Sequence, residues 1–221
     1  MEGKTLQFII DHEGEDVTRF ILSPAKYPGV EIPLAARCIE ARKKIKGKIP
    51  AFYAEPSLLY SDTLALEQCS SQASAEYKSR LIPEGATVAD LTGGLGVDSY
   101  FLSRRASKLT YYERKSHLAE AAQENFRTLG AMNIDCHTAE LTLEKIQSPD
   151  FPSYDIIFLD PARRDKMGGR VYSIADCEPN LALWRTPLLT KANTILAKVS
   201  PMADISQILG EVPGIREIHI L

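Results

Sequence analysis

The stretch that most constrains the fold is 87–98, with the sequence TVADLTGGLGVD. A short apolar run, Val88, Ala89 and Leu91, predicts a buried strand. Three glycines in four positions follow it, and glycine permits both a tight turn and the close approach of a ligand. A helical pattern from Val97 to about Arg105 comes next. A strand, a Gly-rich turn and a helix are typical of the first unit of a nucleotide-binding α/β sheet, whose ligands bind at the carboxyl ends of the strands.

The charge at the end of this strand indicates the kind of ligand. The glycines do not fit the dinucleotide spacing G-x-G-x-x-G, because Ser99 stands where the third glycine would be. A carboxylate such as Asp90 at about 5 Å from a pyrophosphate would cost roughly 3 kcal/mol per charge at an effective dielectric near 20. S-adenosylmethionine (SAM) has no phosphate, and its ammonium and sulfonium would be attracted. The sequence therefore favours SAM; the alternative is that Asp90 only caps the turn.

A second strand, Lys108–Glu113, also ends in an acid, 23 residues after Asp90. An acid at the end of the neighbouring strand can accept hydrogen bonds from both ribose hydroxyls. This spacing also suits dinucleotide enzymes, so it supports an adenosine ligand rather than SAM in particular; the alternative is a surface acid. A third strand, 133–137, is followed by residues 138–140 where the adenine would lie.

The fourth strand, 153–160, is the clearest in the chain. Its unbroken apolar run is typical of a central parallel strand buried on both faces. It ends in Asp160-Pro161, and proline has no backbone donor and stiffens the turn. The Asp160 carboxylate and the Pro161 carbonyl are therefore acceptors that face the cofactor's methyl group. Such acceptors suit an amine nucleophile, which develops positive charge as it attacks a sulfonium.

A long connection from 163 to 180 follows this motif, and connections of that length are usually functional or disordered. We interpret it as a substrate loop that grips phosphates; the alternative is a solvated surface loop. The candidate phosphate-binding residues are Arg163, Arg164, Lys166 and Arg170. Beyond it the patterns predict a helix at 181–189 that Pro187 kinks or ends, a fifth strand at 194–199, a helix at 203–209 and a sixth strand at 215–220.

The 90–96 stretch, DLTGGLG, resembles the first motif of class I SAM-dependent methyltransferases. Together with 160–163 (DPAR) and 67–71 (EQCSS), it most resembles a bacterial methyltransferase group that carries a THUMP-like, ferredoxin-like domain at its C-terminus. The resemblance implies a doubly wound, mostly parallel α/β sheet of seven strands, the last antiparallel. No residues remain here for that strand, so we expect a C-terminally truncated chain.

The resemblance also assigns residues to the cofactor and to the reaction. The 67–71 segment would lie against SAM; a plain helix-capping stretch is the alternative for its Gln68. A polar residue after the third strand would meet the adenine. The implied cofactor-binding residues are Gln68, Asp90, Thr92, Gly93, Gly94, Gly96, Glu113, Ala139 and Glu140. The implied catalytic residues are Asp160, Pro161 and Arg163.

DPAR differs from the Asp-Pro-Pro-Tyr motif of amino-methylating enzymes, because Arg163 replaces the aromatic residue that stacks on a base. Arginine planes also stack on bases. Pyrimidine C5 methylation resembles the chemistry of enzymes with a cysteine nucleophile at this motif or after the next strand. Ala162 and Ser200-Pro201 stand at those places here, and Cys177 is 17 positions beyond Asp160, which argues against that reaction. We therefore predict methylation of RNA at a base nitrogen. The alternatives are a small-molecule or protein substrate, a methyltransferase-like binding module without turnover, and an NAD-binding fold.

Composition sets the remaining bounds. The net charge of −3 gives no global signal for nucleic acid, so RNA binding would depend on local patches. Four cysteines without C-x-x-C spacing indicate reduced thiols in the cytoplasm rather than a zinc site, and no stretch resembles a signal peptide or a membrane span. We expect a helical region at 1–84 and a SAM-binding domain at 85–221. The basic run 42–48 either stabilises a helix C-terminus or binds phosphate.

Overall fold

The computed structural model describes residues 1, 3–163, 174, 177–200 and 202–221. Helices fill the N-terminal region, as predicted, and a short 3-10 helix spans Pro24–Lys26. The α-helices are α1 (Gly3–Asp11), α2 (Thr18–Ile21), α3 (Ile32–Ile45), α4 (Pro50–Tyr53), α5 (Thr63–Gln68) and α6 (Gln72–Arg80). Pro33 lies in the first turn of α3, where its missing N–H costs no hydrogen bond. Ser71 caps α6 by accepting a hydrogen bond from the Ser74 amide.

Strands and helices alternate after α6. The strands are β1 (Thr87–Asp90), β2 (Lys108–Glu113), β3 (Ile134–Thr138), β4 (Tyr154–Leu159), β5 (Ala162–Arg163), β6 (Cys177–Glu178) and β7 (Ala192–Ala197). The helices are α7 (Val97–Ser103), α8 (Ser116–Thr128), α9 (Leu143–Gln147), α10 (Leu181–Leu189) and α11 (Ile205–Glu211). Five strands form a parallel sheet in the order β3-β2-β1-β4-β7. The predicted α/β class and mostly parallel sheet are confirmed.

The two faces of the sheet bury different residues, because successive side chains of a strand point to opposite faces. Val88 of β1 and Phe158 of β4 join a hydrophobic cluster with the N-terminal helices, α7 and α8. Ala89 and Ile157, their neighbours in sequence, join a second cluster with α9, α10 and α11. Burial on both faces explains the continuous apolar run of β4.

One prediction near the C-terminus differs from the structure. The sixth strand predicted at 215–220 is wrong: this segment has no strand in the structure. Its apolar alternation is not sufficient, because a strand also needs a neighbouring edge to pair with. The side chain of His219 instead contacts α6: its Nδ1 lies 2.9 Å from the hydroxyl of Tyr77. The helix predicted at 181–189 is α10, and Pro187 lies inside it, two residues before its end.

Candidate active site

The candidate site lies at the carboxyl edge of the sheet, where four strands end side by side. Asp90 ends β1 opposite Tyr111 of β2 and Phe158 of β4. Glu113 ends β2, and Asp160 follows the last residue of β4. The predicted acids therefore meet at one edge because the parallel strands are in register.

The glycines of the β1–α7 turn have distinct local reasons. A Cβ on Gly93 would lie 2.1 Å from the Tyr111 ring, and a Cβ on Gly96 would lie 2.4 Å from the Phe126 ring. These two glycines let the turn pack on aromatic side chains. A Cβ on Gly94 would meet only the Thr92 carbonyl, at 3.8 Å, and its φ is +54°. Gly94 is thus the glycine of this turn whose missing side chain leaves open space at the strand ends.

Glu113 joins the end of β2 to this turn. Its Oε2 accepts a hydrogen bond from the Gly94 amide at 2.9 Å, and its Oε1 accepts one from the Lys115 amide at 2.9 Å. The hydroxyl of Tyr111 donates to the Gly94 carbonyl at 2.6 Å. The carboxylate predicted for the ribose is therefore fixed beside the open side of the glycine turn.

Asp90 is buried more deeply than its predicted role suggests, with only 1% of its surface exposed. Its Oδ2 accepts a hydrogen bond from Ser99 at 2.6 Å, and its Oδ1 accepts one from the Thr92 amide at 2.9 Å. Burial raises the pKa of Asp90 to about 7, although these two hydrogen bonds oppose the rise. Near neutral pH the carboxyl is therefore only partly ionised, which weakens the charge argument against a diphosphate.

Thr92 connects the two motifs, since its Oγ1 accepts a hydrogen bond from the Asp160 amide at 2.7 Å. The Asp160 carboxylate forms an ion pair with Lys198, whose Nζ lies 2.6 Å from Oδ2. Burial raises the pKa of Asp160, and Asp98 adds to that rise, whereas Lys198 and Lys78 oppose it. The DPAR motif at 160–163 thus has a positive partner that sequence reasoning missed. The fifth strand was predicted at 194–199, with Lys198 inside it, whereas β7 ends at Ala197 and Lys198 directly follows it.

A buried polar group joins the N-terminal helices to this edge. Lys78 of α6 lies 2.5 Å from Asp98 Oδ1 of α7, with side-chain exposures of 5% and 11%. Ser70 donates to Asp98 Oδ2 and accepts from Lys78, both at 2.7 Å. Sequence reasoning missed this group as well. Nothing in the polar pattern of residues 72–80 indicates that a lysine there is buried.

The remaining predicted residues fall in three places. The Ala139 amide donates to the Glu113 carbonyl at 2.9 Å, which brings the end of β3 to the site. Glu140 and Gln68 are exposed. Arg163 lies in β5, which pairs with Cys177 of β6, so a two-stranded antiparallel unit follows Pro161. Three of the predicted phosphate-binding residues, Arg164, Lys166 and Arg170, lie outside the described residues.

The basic run 42–48 supports the helices around it. Arg42 is buried, and its Nη2 lies 2.8 Å from a Glu13 carboxylate oxygen. Lys44 pairs with Glu67 at 2.6 Å, and Lys48 donates to the Glu67 carbonyl at 2.8 Å. These contacts fix the C-terminal end of α5, next to the candidate site.

Comparisons with solved structures agree with this architecture. A proposed methyltransferase from Porphyromonas gingivalis W83 is 35% identical, with a TM-score of 0.77 over 93% of this chain and 50% of that one. The chain therefore has the Rossmann-like methyltransferase fold. It spans about half the length of that protein.

Two further solved structures share the fold at lower identity. SMU.776, a proposed methyltransferase solved with S-adenosylhomocysteine (SAH), is 16% identical, with a TM-score of 0.50 over 63% of this chain and 38% of that one. A proposed SAM-dependent methyltransferase from Streptococcus mutans is 15% identical, with a TM-score of 0.50 over 63% and 37%. No protein-family model and no curated protein matches the chain. No helix in the described part of the chain is long and apolar enough to cross a membrane.

Proposed function

We propose that this chain is a SAM-dependent methyltransferase that methylates RNA at a base nitrogen. The observation that carries the proposal is the set of strand ends: the carboxylates of Asp90, Glu113 and Asp160 flank a glycine turn whose open position is Gly94. The 35% identity to a proposed methyltransferase supports the same reading. When bound, SAM supplies a sulfonium methyl group, so that an amine gives a methylated amine, SAH and one proton.

The residues around the glycine turn fit an adenosine ligand with a positive charge. Glu113 is fixed by the Gly94 amide, so its carboxylate is oriented before a ribose arrives. Asp90 lies below the turn, beside Thr92, and its pKa of about 7 leaves the carboxyl partly ionised near neutral pH. The other proposed contacts come from the turn, from the end of α5 and from the end of β3: Gly93, Gly96, Gln68, Ala139 and Glu140.

The reactive motif acts mainly by positioning. Asp160 is held by Lys198 and by the bond from its amide to Thr92, and Pro161 contributes a carbonyl acceptor without a competing amide donor. These acceptors orient an amine toward the methyl group, and orientation alone can supply a large part of catalysis. Arg163 would face the base, and Arg164, Lys166 and Arg170 would hold phosphates.

The proposal extends to the cellular setting and the family group. Cys38, Cys69 and Cys136 are free thiols, which suits a reducing cytoplasm. The motifs quoted above support membership of the bacterial group that carries a THUMP-like domain.

A calorimetric titration tests the cofactor. We expect SAM to bind, and SAM at 100 times its Kd to raise the free energy of unfolding by about 2.7 kcal/mol. Glu113→Ala should weaken SAM binding at least tenfold. Glu124→Ala, which changes an exposed acid on α8, is the matched control and should bind normally. A heat of binding on titration with NAD, and none on titration with SAM, would overturn the proposal.

Label transfer tests the substrate. SAM labelled in its methyl group is incubated with separate pools of unmodified RNA transcripts, protein and small metabolites. We expect label in RNA, and a strong loss of transfer in Asp160→Asn. Label in the protein or metabolite pool alone would be consistent with methyltransferase activity but would refute RNA as the substrate. SAM binding without transfer to any pool would favour a binding module.

A further inference from the structure

The ion pair between Asp160 and Lys198 lies at the reactive motif and reaches solvent. The two side chains are 30% and 29% exposed, and their charged atoms are 2.6 Å apart. Leu159 and Ala197 are paired in the sheet, and the Lys198 amide donates to the Leu159 carbonyl at 2.8 Å. The next residues of both strands therefore lie side by side, and the pair is fixed by the sheet and not by a loop.

Stability alone does not account for a pair at this position. Ion pairs that reach solvent contribute little to stability, because water and salt screen their charges. The charged groups packed around Asp160 include Asp98, Lys78 and Lys198, and Asp90 is close as well. Among the cations described around Asp160, Lys78 is already held by Asp98 and Ser70. Lys198 is partly exposed and can reach a ligand that contacts Asp160.

We infer that this pair makes the site accept the Watson–Crick edge of a base: on that edge Asp160 accepts a hydrogen bond from an exocyclic amino group, and Lys198 donates one to the unprotonated ring nitrogen beside it. This inference rests on the proposed methyltransferase function and narrows its substrate. A carboxylate accepts only and an ammonium donates only, so the pair presents one acceptor next to one donor.

Two of the four RNA bases match this arrangement on their Watson–Crick edges. Adenine and cytosine each carry an amino donor beside a ring nitrogen acceptor. Guanine places an N–H donor beside its amino group, which would face the Lys198 ammonium, and uracil has no amino group. A donor that faces a donor leaves both without a partner, which disfavours guanine at this pair. Unpaired bases in loops are read on this edge by proteins that bind RNA.

The identity of the methylated nucleoside tests the inference directly. A pool of unmodified rRNA and tRNA transcripts is incubated with the chain and labelled SAM, and is then digested to nucleosides that are separated by chromatography. We expect the label in N6-methyladenosine or N4-methylcytidine. Label in a methylguanosine, a methyluridine or a ribose methyl group would overturn the inference while leaving the methyltransferase proposal intact.

Substitutions of Lys198 test its role. Lys198→Met keeps the length of the side chain and removes its donor, and we expect kcat/KM for RNA to fall at least tenfold. Lys198→Arg keeps a donor and should retain more than a third of the activity. Lys108→Met removes the same charge at the opposite, amino end of β2 and should behave like the unchanged chain.

Cofactor binding, measured without turnover, distinguishes failure of this inference from failure of the proposed function. SAM binding by calorimetry should be the same within twofold in Lys198→Met and in the unchanged chain. A large loss of SAM affinity in this variant would show that Lys198 serves the cofactor, and normal RNA kinetics in it would also overturn the inference. Absence of SAM binding in the unchanged chain would overturn the proposed function and this inference together.

Discussion

Asp90 illustrates at the scale of one residue how folding changes the chemistry that a sequence suggests. As a strand-end acid it reads as a charged ligand for a cation. In the structure it is buried with Ser99 and Thr92 as hydrogen-bond donors, and Asp98 and Asp160 lie close enough to raise its pKa further. Because of this burial, the pKa of Asp90 is about 7 and the carboxyl keeps its proton below that pH.

This shift predicts a pH dependence of stability. The usual pKa of an aspartate is near 3.8 and that of folded Asp90 is about 7. Between these values the folded chain holds a proton that the unfolded chain has lost, so stability falls as pH rises through that window. The slope from this group is about 1.4 kcal/mol per pH unit. Urea unfolding at pH 5, 6, 7 and 8 measures it. Asp90→Asn should remove that slope and the exposed Asp150→Asn should keep it; equal slopes in all three chains would contradict the assignment.

The glycine turn shows at the scale of an element that similar glycines have different functions. Gly93 gives space to the Tyr111 ring, whereas Gly94 leaves its space open and provides the amide that holds Glu113. The sequence alone cannot distinguish the two glycines, because the ring that approaches Gly93 belongs to Tyr111 on the neighbouring strand β2.

Two alanine variants separate these functions. Gly93→Ala places a methyl group 2.1 Å from a carbon atom of the Tyr111 ring. Because of this clash, we expect a loss of about 3 kcal/mol or more in the free energy of unfolding. Gly94→Ala meets no close atom but adopts a positive φ, so about 1–2 kcal/mol is expected. Its methyl group points into the candidate cofactor space, and SAM affinity should fall at least tenfold. Thermal unfolding and calorimetry measure both effects; normal stability of Gly93→Ala would refute the packing argument.

At the scale of the whole molecule, the helical region at 1–84 and the sheet share one hydrophobic cluster. Phe8 of α1 and Ile39 of α3 belong to the same cluster as Val88 of β1 and Phe158 of β4. The buried Lys78–Asp98 pair crosses from α6 to α7 within this arrangement. The boundary between 1–84 and 85–221 therefore stays a prediction from the sequence. In the structure, residues on both sides of it pack into the same hydrophobic cluster.

We expect the two regions to unfold together. Lys78→Met leaves Asp98 buried without its cation, which should cost about 3–5 kcal/mol. Far-UV circular dichroism follows all helices, and the single tryptophan, Trp184 in α10, follows the other face of the sheet. Both urea transitions should move by the same amount. Adding Asp98→Asn should recover part of the loss, and a shift in circular dichroism alone would show that the N-terminal helices unfold separately.

Local pattern was sufficient for most of the fold. The apolar runs at 88–91 and 154–159 and the glycines between strand and helix determined where β1, β4 and α7 lie, since these signals are local in the chain. The acids at 90, 113 and 160 could be assigned to one edge because parallel strands align their carboxyl ends. The segment at 215–220 carried the same kind of local signal but formed no strand, since pairing depends on a distant edge.

What only the tertiary structure decided is how the charges pair. Lys198 is 38 residues from Asp160 and Lys78 is 20 residues before Asp98, and no periodicity indicates that either lysine meets an acid. The burial of Asp90 likewise depends on α7, which places Ser99 over it. Sequence determined which chemical groups stand at the strand ends, because the place where a strand ends follows from local pattern. The ionisation and partners of those groups depend on packing between distant segments, which only the folded chain brings together.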